Sequence, residues 1–418
     1  MDTIYAVSSG APPAAIAVLR LSGAGAFAAV RALAGELPEP RRAALRALRQ
    51  EGNLLDRALV LLFPGPDSAT GEDVAELHVH GGRAVIRAVE AALAGMPGLR
   101  EADPGEFTRR ALANGRIDLS EAEGLGDLLA AETEFQRRAA IRSAEGAVRR
   151  EVEGWTARLL AIAARAEAIL DHSDEDDVEP DAQLHRAAEL AADIEAVVER
   201  APVERLRDGI RIVLAGPPNA GKSTLLNALA GRDAAIVSPI AGTTRDRIEA
   251  PVVRDGLAYL LIDTAGLAEA TEDVIEAIGI ERARAALAEA DQVLWLGDDP
   301  GPEGAIAIHA RADAREHAPE GSIAVSAKTG EGIDALWSEI ATRARTLLPP
   351  PDLVALNQRQ RTLCASAAEA LRHAAGEHDL LLAAEHLRSA RRAFDAVTGR
   401  ADVEAMLDAL FARFCIGK

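Results

Sequence analysis

Gly216-Pro-Pro-Asn-Ala-Gly-Lys222-Ser223 comes directly after the apolar run Ile210–Ala215 and before a helical pattern at Lys222–Ala230. The spacing fits G-x-x-x-x-G-K-[ST], in which backbone N–H groups and a helix N-terminus surround phosphate groups. A buried strand before the loop and a helix after it are the context that this spacing requires. Lys222 can reach the β- and γ-phosphates, and the Ser223 hydroxyl can ligate Mg²⁺. The stretch therefore predicts a nucleoside triphosphate site on an open α/β sheet.

The alternation of strand and helix continues beyond this loop. Short apolar runs separated by helical segments are typical of an open, mainly parallel sheet with flanking helices. We predict such a domain over residues 209–348, with its last helix at Ile333–Thr346. The further strands predicted in it are Pro251–Val253, Ala258–Asp263, Gln292–Leu296, Ala305–His309 and Ser322–Val325.

Helical segments lie on both sides of the α/β domain. Residues 117–208 and 349–418 are rich in Ala, Glu and Arg, with apolar residues at helical spacing. This pattern predicts an α/β domain inserted into a helical domain. The acidic run Asp171–Asp181 is predicted to be a solvated loop, with a metal or partner site as the alternative. The helices predicted in this domain are Leu119–Leu170, Ala182–Arg200, Leu356–Ala375, Leu380–Val397 and Val403–Phe414.

Residues 1–116 have a third pattern, of mixed strands and helices. The elements predicted there are strands Ile16–Leu21, Ala58–Phe63 and Val74–His80 and helices Ala84–Ala94 and Glu106–Ala113. The chain is therefore predicted to be multidomain, α/β plus α. It has an α+β domain (1–116), a helical domain in two parts (117–208 and 349–418) and the inserted α/β domain (209–348).

Composition limits the function classes. The net charge of −20 argues against a simple polyanion binder, because non-specific nucleic-acid affinity comes from Lys and Arg neutralising phosphates. Of the 46 basic residues only Lys222, Lys328 and Lys418 are lysines. Two cysteines, Cys364 and Cys415, make a disulfide framework improbable and fit a reducing compartment. Without a signal-peptide pattern or a long apolar run, we expect a soluble, cytoplasmic protein.

Three further segments follow the phosphate loop in the order that a GTPase requires. Thr244, in Gly242-Thr-Thr244, is placed to ligate Mg²⁺ and sense the γ-phosphate. Asp263-Thr-Ala-Gly266 follows a predicted strand, so that Asp263 would lie by the metal and Gly266 would donate its N–H to the γ-phosphate. Ser326-Ala-Lys328 would back the base. The nucleotide contacts predicted are Asn219, Ala220, Gly221, Lys222, Ser223, Thr224, Ser238, Thr243, Thr244, Asp263, Gly266, Asp313, Ser326, Ala327 and Lys328.

The base-reading segment departs from its usual form. Asn-Lys-x-Asp is replaced by Ala310-Arg-Ala-Asp313. Asp313 keeps the carboxylate that accepts hydrogen bonds from guanine, and the Arg311 guanidinium can stack on the ring. The Asn amide is missing. We therefore expect GTP to be preferred over ATP, with weaker nucleotide affinity than usual.

The water-orienting position also departs from the Ras pattern. A Gln follows Asp-x-x-Gly in Ras-type enzymes and orients the attacking water. Leu267 stands there and cannot do so. Either hydrolysis is slow, or another carboxylate and another cation act. Glu276 is one candidate among the nearby acids, which also include Glu269, Glu272 and Asp273.

Motifs along the whole chain resemble the MnmE (TrmE) family of tRNA modification GTPases. The inserted domain contributes Ala235-Ile-Val and Gly242-Thr-Thr-Arg-Asp246, and the chain ends in Cys415-Ile-Gly-Lys418. The N-terminal motifs are Asp2-Thr-Ile, Ala15-Ile-Ala-Val-Leu-Arg20-Leu-Ser-Gly23, Thr70-Gly-Glu-Asp73, His80-Gly-Gly82 and Pro104-Gly-Glu-Phe107. The resemblance implies a pteridine-binding N-terminal domain, a helical domain and an inserted G domain.

The resemblance also implies a mechanism. Such proteins dimerise through the N-terminal domain and act with the flavoprotein MnmG on C5 of the wobble uridine of tRNA. The one-carbon unit comes from a tetrahydrofolate derivative (5-formyl- or methylene-tetrahydrofolate). GTP hydrolysis is activated by K⁺, for which the matching ligands are Asn219, Ser238, Ile240 and Thr243. Glu276 matches the water-orienting Glu. The matching folate contacts are Arg20, Glu76, Arg116 and the terminal Lys418, with Cys415 as a candidate nucleophile.

Two other functions remain open at this stage. A regulatory switch that assists ribosome or complex assembly would share the G domain but would not need the N-terminal motifs. A degenerate scaffold would fit the altered base segment but not the intact Lys222, Ser223, Thr244 and Asp263. Cys364, among Ala and Leu on a helix, is predicted to fill a core. The helical arginines are predicted to form a solvated face balanced by Glu, with a tRNA-facing stripe as the alternative: Arg137, Arg138, Arg142, Arg149, Arg150, Arg158 and Arg165.

Overall fold

The computed structural model describes residues 2–171, 180–231, 249–264, 284–315, 318–350, 353–400, 410–411, 414 and 417. Two compact units make up the chain. Unit 1 comprises residues 1–126, 144–153 and 394–418, and unit 2 comprises residues 127–143 and 154–393. The four domain boundaries predicted from the sequence stay predictions.

Unit 1 is built on a six-stranded sheet in the order β3-β4-β5-β2-β1-β6. Its neighbouring strands are antiparallel except for β1 and β6, which run parallel. The strands are β1 (Thr3–Val7), β2 (Ile16–Ser22), β3 (Ala44–Gln50), β4 (Asn53–Phe63), β5 (Val74–His80) and β6 (Leu99–Glu101).

The two faces of this sheet have different surroundings. Helices α1 (Ala26–Ala34) and α2 (Arg83–Ala94) bury their apolar side chains with those of one face in a single core cluster. Because side chains alternate along a strand, the residues between the core positions point to the opposite face. There helix α3 (Glu106–Ala113) packs Phe107 against Ile4. This second face remains open enough to carry polar groups.

Five helices follow before the second sheet. They are α4 (Leu119–Ala130), α5 (Glu134–Ala144), α6 (Ala147–Asp171), α7 (Pro180–Val198) and the short α8 (Glu204–Arg207). The predicted helical segment Leu119–Leu170 is therefore divided into three. At the two ends of the predicted acidic loop Asp171–Asp181, α6 includes Asp171 and α7 begins at Pro180. Residues 172–179 lie outside the described part of the chain.

Unit 2 contains the predicted open, mainly parallel sheet, in the order β12-β11-β10-β7-β9-β8. Only the neighbours β8 and β9 are antiparallel. The strands are β7 (Ile210–Ala215), β8 (Glu249–Arg254), β9 (Leu257–Asp263), β10 (Gln292–Trp295), β11 (Ile306–Ala310) and β12 (Ile323–Val325). Helices α9 (Lys222–Gly231) and α10 (Ile333–Leu347) pack onto it and share its core.

Two long helices follow the sheet, α11 (Gln358–Gly376) and α12 (Leu380–Thr398). A capping box begins α11, because Asn357 and Gln360 bond reciprocally to each other's backbone N–H. The structure packs α11 along α7, which lies before the sheet in the chain. This pairing agrees with a helical domain interrupted by the α/β domain. The predicted helix Val403–Phe414 falls mostly outside the described residues.

Five elements were not predicted: β1, β3, β6, α1 and α8. Among them, β3 (ALRALRQ) has the composition of a helix. The strands predicted in both sheets are confirmed to within one or two residues, except that β4 begins five residues earlier. Within the described residues, no helix combines the length and apolar character that crossing a membrane requires.

Candidate functional site

The predicted nucleotide-binding residues meet at one edge of the unit 2 sheet because strands β7, β9, β11 and β12 all run parallel. Their carboxyl ends therefore lie at the same edge. The phosphate loop follows β7, and β7 has β9 on one side and β10 on the other. Such a switch point, where successive connections leave in opposite directions, is where open α/β sheets bind ligands.

Lys222 is buried at the end of the phosphate loop, with only 6% of its surface exposed. Its Nζ donates to the carbonyl oxygens of Gly216 at 3.0 Å and Pro217 at 2.9 Å. A buried ammonium requires polar partners, and here the loop backbone supplies them. The amine is thus held inside the loop whose N–H groups would surround phosphates.

Ser223 and Asp263 come together from different elements. The Ser223 hydroxyl, in the first turn of α9, donates to Oδ2 of Asp263 at the end of β9. The Asp263 side chain is buried, and next to it the Thr264 hydroxyl donates to Leu214 O at 2.8 Å. Hydroxyl and carboxylate oxygens suit Mg²⁺, which protein sites hold through one or two side chains plus phosphate. Within the described residues, no group of three or more His, Cys, Asp or Glu is placed to hold a metal ion.

A cavity of about 240 Å³ lies beside the phosphate loop. Most of its lining side chains are apolar, and Asp313 and Lys328 bring opposite charges to it. The volume of the cavity and its mainly apolar lining suit a planar base. The residues that line it are Gly221, Thr224, Leu225, Ala310, Arg311, Asp313, Ala314, Val325, Ala327 and Lys328.

Asp313 is held by the loop after β12. The buried Ser326 hydroxyl donates to Oδ1 of Asp313 at 2.7 Å, and it accepts from the N–H of Thr329 at 3.1 Å. This hydrogen bond, with the charges of Lys328 and Arg311, holds the pKa of Asp313 below its usual value. Asp313 is therefore an ionised acceptor at neutral pH. The Ser-Ala-Lys segment, predicted to back the base, thus also orients the carboxylate of Asp313.

Several predicted site residues lie outside the described residues. For the nucleotide and metal sites these are Ser238, Ile240, Thr243, Thr244, Gly266 and Glu276. For the folate site they are Cys415 and Lys418. Their assignments stay predictions.

A polar cluster occupies the open face of the unit 1 sheet. Arg20 on β2 pairs with Glu76 on β5 in the strand register, and its guanidinium donates to Glu76 Oε1 at 2.9 and 3.1 Å. The other carboxylate oxygen, Oε2, lies 3.1 Å from His78 Nε2. Arg20 also lies 5.9 Å from the ring centroid of Phe107. Burial alone would raise the pKa of Glu76, but the hydrogen bonds from His78 and Arg20 outweigh it and lower the pKa.

His78 was not predicted as part of this cluster. It follows Glu76 by two residues on β5, so both side chains point to the same face. That spacing is the signal that could have identified it. Arg116, the third predicted folate contact in the described chain, makes a different pair, 3.7 Å from Asp67.

Other residues of the N-terminal motifs build the frame of unit 1. Arg110 is nearly buried and forms ion pairs with Asp2 at 3.0 Å, Glu72 at 3.1 Å and Glu106 at 2.9 Å. Ser22 donates to Glu72 at 2.7 Å. Four of the motifs quoted above thus converge on one network, in which Arg110 ties three carboxylates together and holds the frame of unit 1.

The C-terminal tail is in contact with the first strand of unit 1. The Ser8 hydroxyl donates to Gly417 O at 2.7 Å. Gly417 has φ of 95°, and a Cβ there would lie 2.1 Å from Val7 O. Only glycine fits this approach. The glycine of the terminal motif is therefore explained by docking of the tail.

The two remaining sequence predictions concern helices. Cys364 is fully buried, as predicted for a core residue, and burial raises the pKa of its thiol to about 12. Four of the seven helical arginines have an acidic partner: Glu134 pairs with Arg137 and Arg138, Glu153 with Arg149, and Asp193 with Arg158. These pairs are of the kind expected for a balanced, solvated face, and the choice between that face and a tRNA-facing stripe stays a prediction.

Comparison with known proteins covers the whole chain. Residues 3–116 match the family model described as GTP-binding protein TrmE N-terminus, and residues 119–415 match the one described as MnmE helical domain. The tRNA modification GTPase MnmE of Erythrobacter litoralis (strain HTCC2594) is 59% identical over 424 residues, which cover 100% of both chains. That of Rhizorhabdus wittichii (strain RW1) is 60% identical over 427 residues, covering 100% of this chain and 97% of the relative. The G domain of the T. maritima FeoB iron transporter is 26% identical, covering 32% of this chain and 98% of that one, at a TM-score of 0.24 too low to support an argument.

Proposed function

The chain belongs to the MnmE family of tRNA modification GTPases, and from this premise we propose how it acts. It is a tRNA-modifying GTPase. We propose that K⁺ activates its GTP hydrolysis, and that it works with the flavoprotein MnmG on C5 of the wobble uridine. The one-carbon unit comes from a tetrahydrofolate derivative bound to unit 1.

Hydrolysis is assigned to the edge of the unit 2 sheet. Lys222 neutralises charge on the β- and γ-phosphates, and its present carbonyl partners show that the loop accommodates an ammonium there. Ser223 and Thr244 would ligate Mg²⁺, with Asp263 accepting from the Ser223 hydroxyl beside the metal. Bound Mg²⁺ supplies positive charge to the phosphate oxygens. Gly266 donates to the γ-phosphate, and Glu276 orients the attacking water.

The monovalent cation is assigned to the phosphate loop and the segment after α9. Asn219 is exposed in the loop, where its side-chain oxygen can serve as a ligand with the residues Ser238, Ile240 and Thr243. A bound K⁺ supplies a fixed positive charge where an arginine finger acts in other GTPases.

The folate is assigned to the open face of the unit 1 sheet. Glu76 is ionised and can accept from the N–H groups of a pterin, while Arg20 can pair with a carboxylate of the tail. Arg116 and Lys418 would add charge. Cys415 would lie near the one-carbon unit, and docking of Gly417 on unit 1 supports this placement of the tail.

The partners proposed are a second copy of the chain, the flavoprotein MnmG and tRNA, in the cytoplasm. A net charge of −20 gives little attraction for tRNA. The described arginines of α5 and α6 are mostly paired with acids, as shown above. We therefore expect MnmG to supply much of the affinity for tRNA.

The observation that carries the GTPase assignment is the convergence of Lys222, Ser223, Asp263 and Asp313 on one sheet edge. In cells lacking this protein, wobble uridine is expected to lose its C5 modification, measured by mass spectrometry of tRNA nucleosides. Expression of the wild-type chain should restore it, and a Lys222→Ala chain should not. Full modification in the deletion strain would instead favour an assembly switch without modification chemistry.

Exchange of K⁺ for Na⁺ is expected to lower GTP turnover of the wild-type protein by about 10²-fold. The estimate equals the effect of removing one preorganised charge partner from a transition state. Phosphate release would be followed at constant ionic strength. An Asn219→Ala chain should be slow in both salts. Equal wild-type rates in K⁺ and Na⁺ would contradict the proposed cation site.

Replacement of Gly417 by alanine is expected to lower tRNA modification while GTP turnover stays unchanged. The new Cβ would meet Val7 O, so the tail must leave its docked position. Loss of the Ser8 hydrogen bond alone, worth about 1 kcal/mol, corresponds to a roughly fivefold change in the equilibrium constant for docking of the tail. Gly35→Ala is the matched control, because Gly35 also has positive φ but nothing within 4 Å of a Cβ. Equal modification by the two variants would show that tail docking is dispensable.

A further inference from the structure

Two non-glycine residues at the nucleotide site have left-handed backbones. Asn219 in the phosphate loop and Arg311 after β11 both have φ of 60°. The other such residues in the described chain lie away from the site, at Arg41, Glu51 and Asp255. Glu51 and Asp255 each precede a glycine in a two-residue hairpin turn, which requires positive φ. No hairpin explains Asn219 and Arg311. Strained backbone of this kind persists where surrounding contacts enforce it.

The contact between these two residues is direct. Arg311 Nη2 donates to the backbone oxygen of Asn219 at 2.6 Å, joining residues that are 92 apart in the chain. The same Arg311 side chain lines the cavity assigned to the base, beside Gly221. Its guanidinium therefore lies between the base cavity and the peptide group of Asn219.

The geometry of a guanidinium allows both contacts at once. Its planar face can stack on a purine ring while N–H groups at its edge donate to a carbonyl. A base under Arg311 would order the side chain and so strengthen its hold on the Asn219 carbonyl. The Asn219 backbone conformation in turn decides where its side-chain oxygen points.

We propose that Arg311 is a positioning residue for the monovalent cation, which couples binding of the guanine base to the Asn219 ligand. The proposal rests on the K⁺ role of Asn219 in the proposed function. It assigns to Arg311 a role beyond stacking on the base. Because coupling between two ligands is reciprocal, K⁺ should raise nucleotide affinity by the same factor by which nucleotide raises K⁺ affinity. Removal of Arg311 should abolish this factor.

The test measures binding rather than turnover. The dissociation constant of a fluorescent, non-hydrolysable GTP analogue is determined for the full-length chain in K⁺ and in Na⁺ at equal ionic strength. For the wild type we expect tighter binding in K⁺ by about fivefold or more, within the usual range of coupling between sites. For Arg311→Ala the K⁺/Na⁺ ratio should approach one. Arg311→Lys should recover part of the ratio, since an ammonium can still donate one hydrogen bond to the carbonyl.

Arg315→Ala is the matched control. Arg315 lies in the same loop but pairs with Asp298 at 2.6 Å and does not line the cavity. This variant should keep the wild-type ratio. If Arg311→Ala weakens binding equally in both salts and the ratio persists, Arg311 only stacks on the base and the proposal is wrong. A wild-type ratio of one would show that cation and nucleotide binding are not coupled, and the proposal for Arg311 would again be wrong; the cation site itself is tested separately, by turnover in K⁺ and Na⁺.

Discussion

Replacement of Lys222 by alanine is expected to lower GTP turnover by about 10²–10³-fold, the effect of removing one preorganised group that stabilises transition-state charge. The ammonium is buried and held by two carbonyls of the phosphate loop. Lys328, the other lysine in the described residues, lines the base cavity and is assigned to the base rather than to the phosphates. Single-turnover hydrolysis in K⁺ would measure the loss.

Replacement of Lys222 by arginine is expected to be almost as damaging, although it keeps the charge. A planar guanidinium is larger than an ammonium and cannot direct its donors to two carbonyls of so tight a loop. Lys328→Arg is the matched control, because Lys328 is exposed at the cavity rim. At this exposed position the larger guanidinium has room, so turnover should fall far less than in Lys222→Arg. Thermal unfolding of each variant would separate loss of chemistry from loss of fold. Wild-type turnover by Lys222→Arg would show that the loop tolerates a guanidinium.

This contrast explains a feature of the composition. Arginine supplies 43 of the 46 basic residues, and it has replaced lysine even in the base-reading segment at Arg311. That position is exposed, and its side chain donates sideways to a carbonyl, which suits a guanidinium. Lys222 is enclosed by the phosphate loop, and such a position does not suit a guanidinium. Burial of the side-chain charge therefore distinguishes Arg311, where arginine in place of lysine is tolerated, from Lys222, where we expect the same exchange to fail.

The meeting of Lys222, Asp263 and Asp313 at one sheet edge could be predicted because the segments that carry them are local in the chain. Each segment, such as Gly216–Ser223, directly follows an apolar strand, and parallel strands bring their carboxyl ends together. Spacing within a few residues therefore indicates, without any tertiary contact, that Lys222, Asp263 and Asp313 lie at the carboxyl ends of the strands. The open sheet followed from the same alternation.

The unpredicted features depend on strand pairing and contacts that the residue types of a segment do not specify. Strand β3 consists of helix-forming residues, and it is a strand because it pairs with β4 at the edge of the sheet. Strand β1 pairs with β6, almost a hundred residues later. The Arg311–Asn219 hydrogen bond, between residues 92 apart in the chain, has the same origin. Neither short motifs nor periodicity contain this information, because both describe neighbours in the chain.

Replacement of Asp313 by asparagine is expected to reverse the base preference from guanine to xanthine. Ser326 decides the orientation of the new amide. Its hydroxyl donates to Oδ1, so the amide oxygen stays toward Ser326 and the NH₂ group turns to the base cavity. A donor then faces the N1–H and N2–H₂ donors of guanine, whereas xanthine presents a carbonyl oxygen at C2. A site that leaves such polar groups unpaired discriminates by up to about 10⁴-fold.

The measurement is displacement of a fluorescent GTP analogue from wild type and Asp313→Asn by GTP, XTP and ATP. For the wild type we expect GTP to displace best, because the ionised Asp313 accepts from guanine and finds no such donor pair in adenine. For the variant, XTP should displace best. A second variant, Asp313→Asn with Ser326→Ala, frees the amide to rotate, and its preference for XTP should therefore fall. If XTP gains nothing in the single variant, Asp313 does not read the base, and the orientation imposed by Ser326 has no part in nucleotide choice.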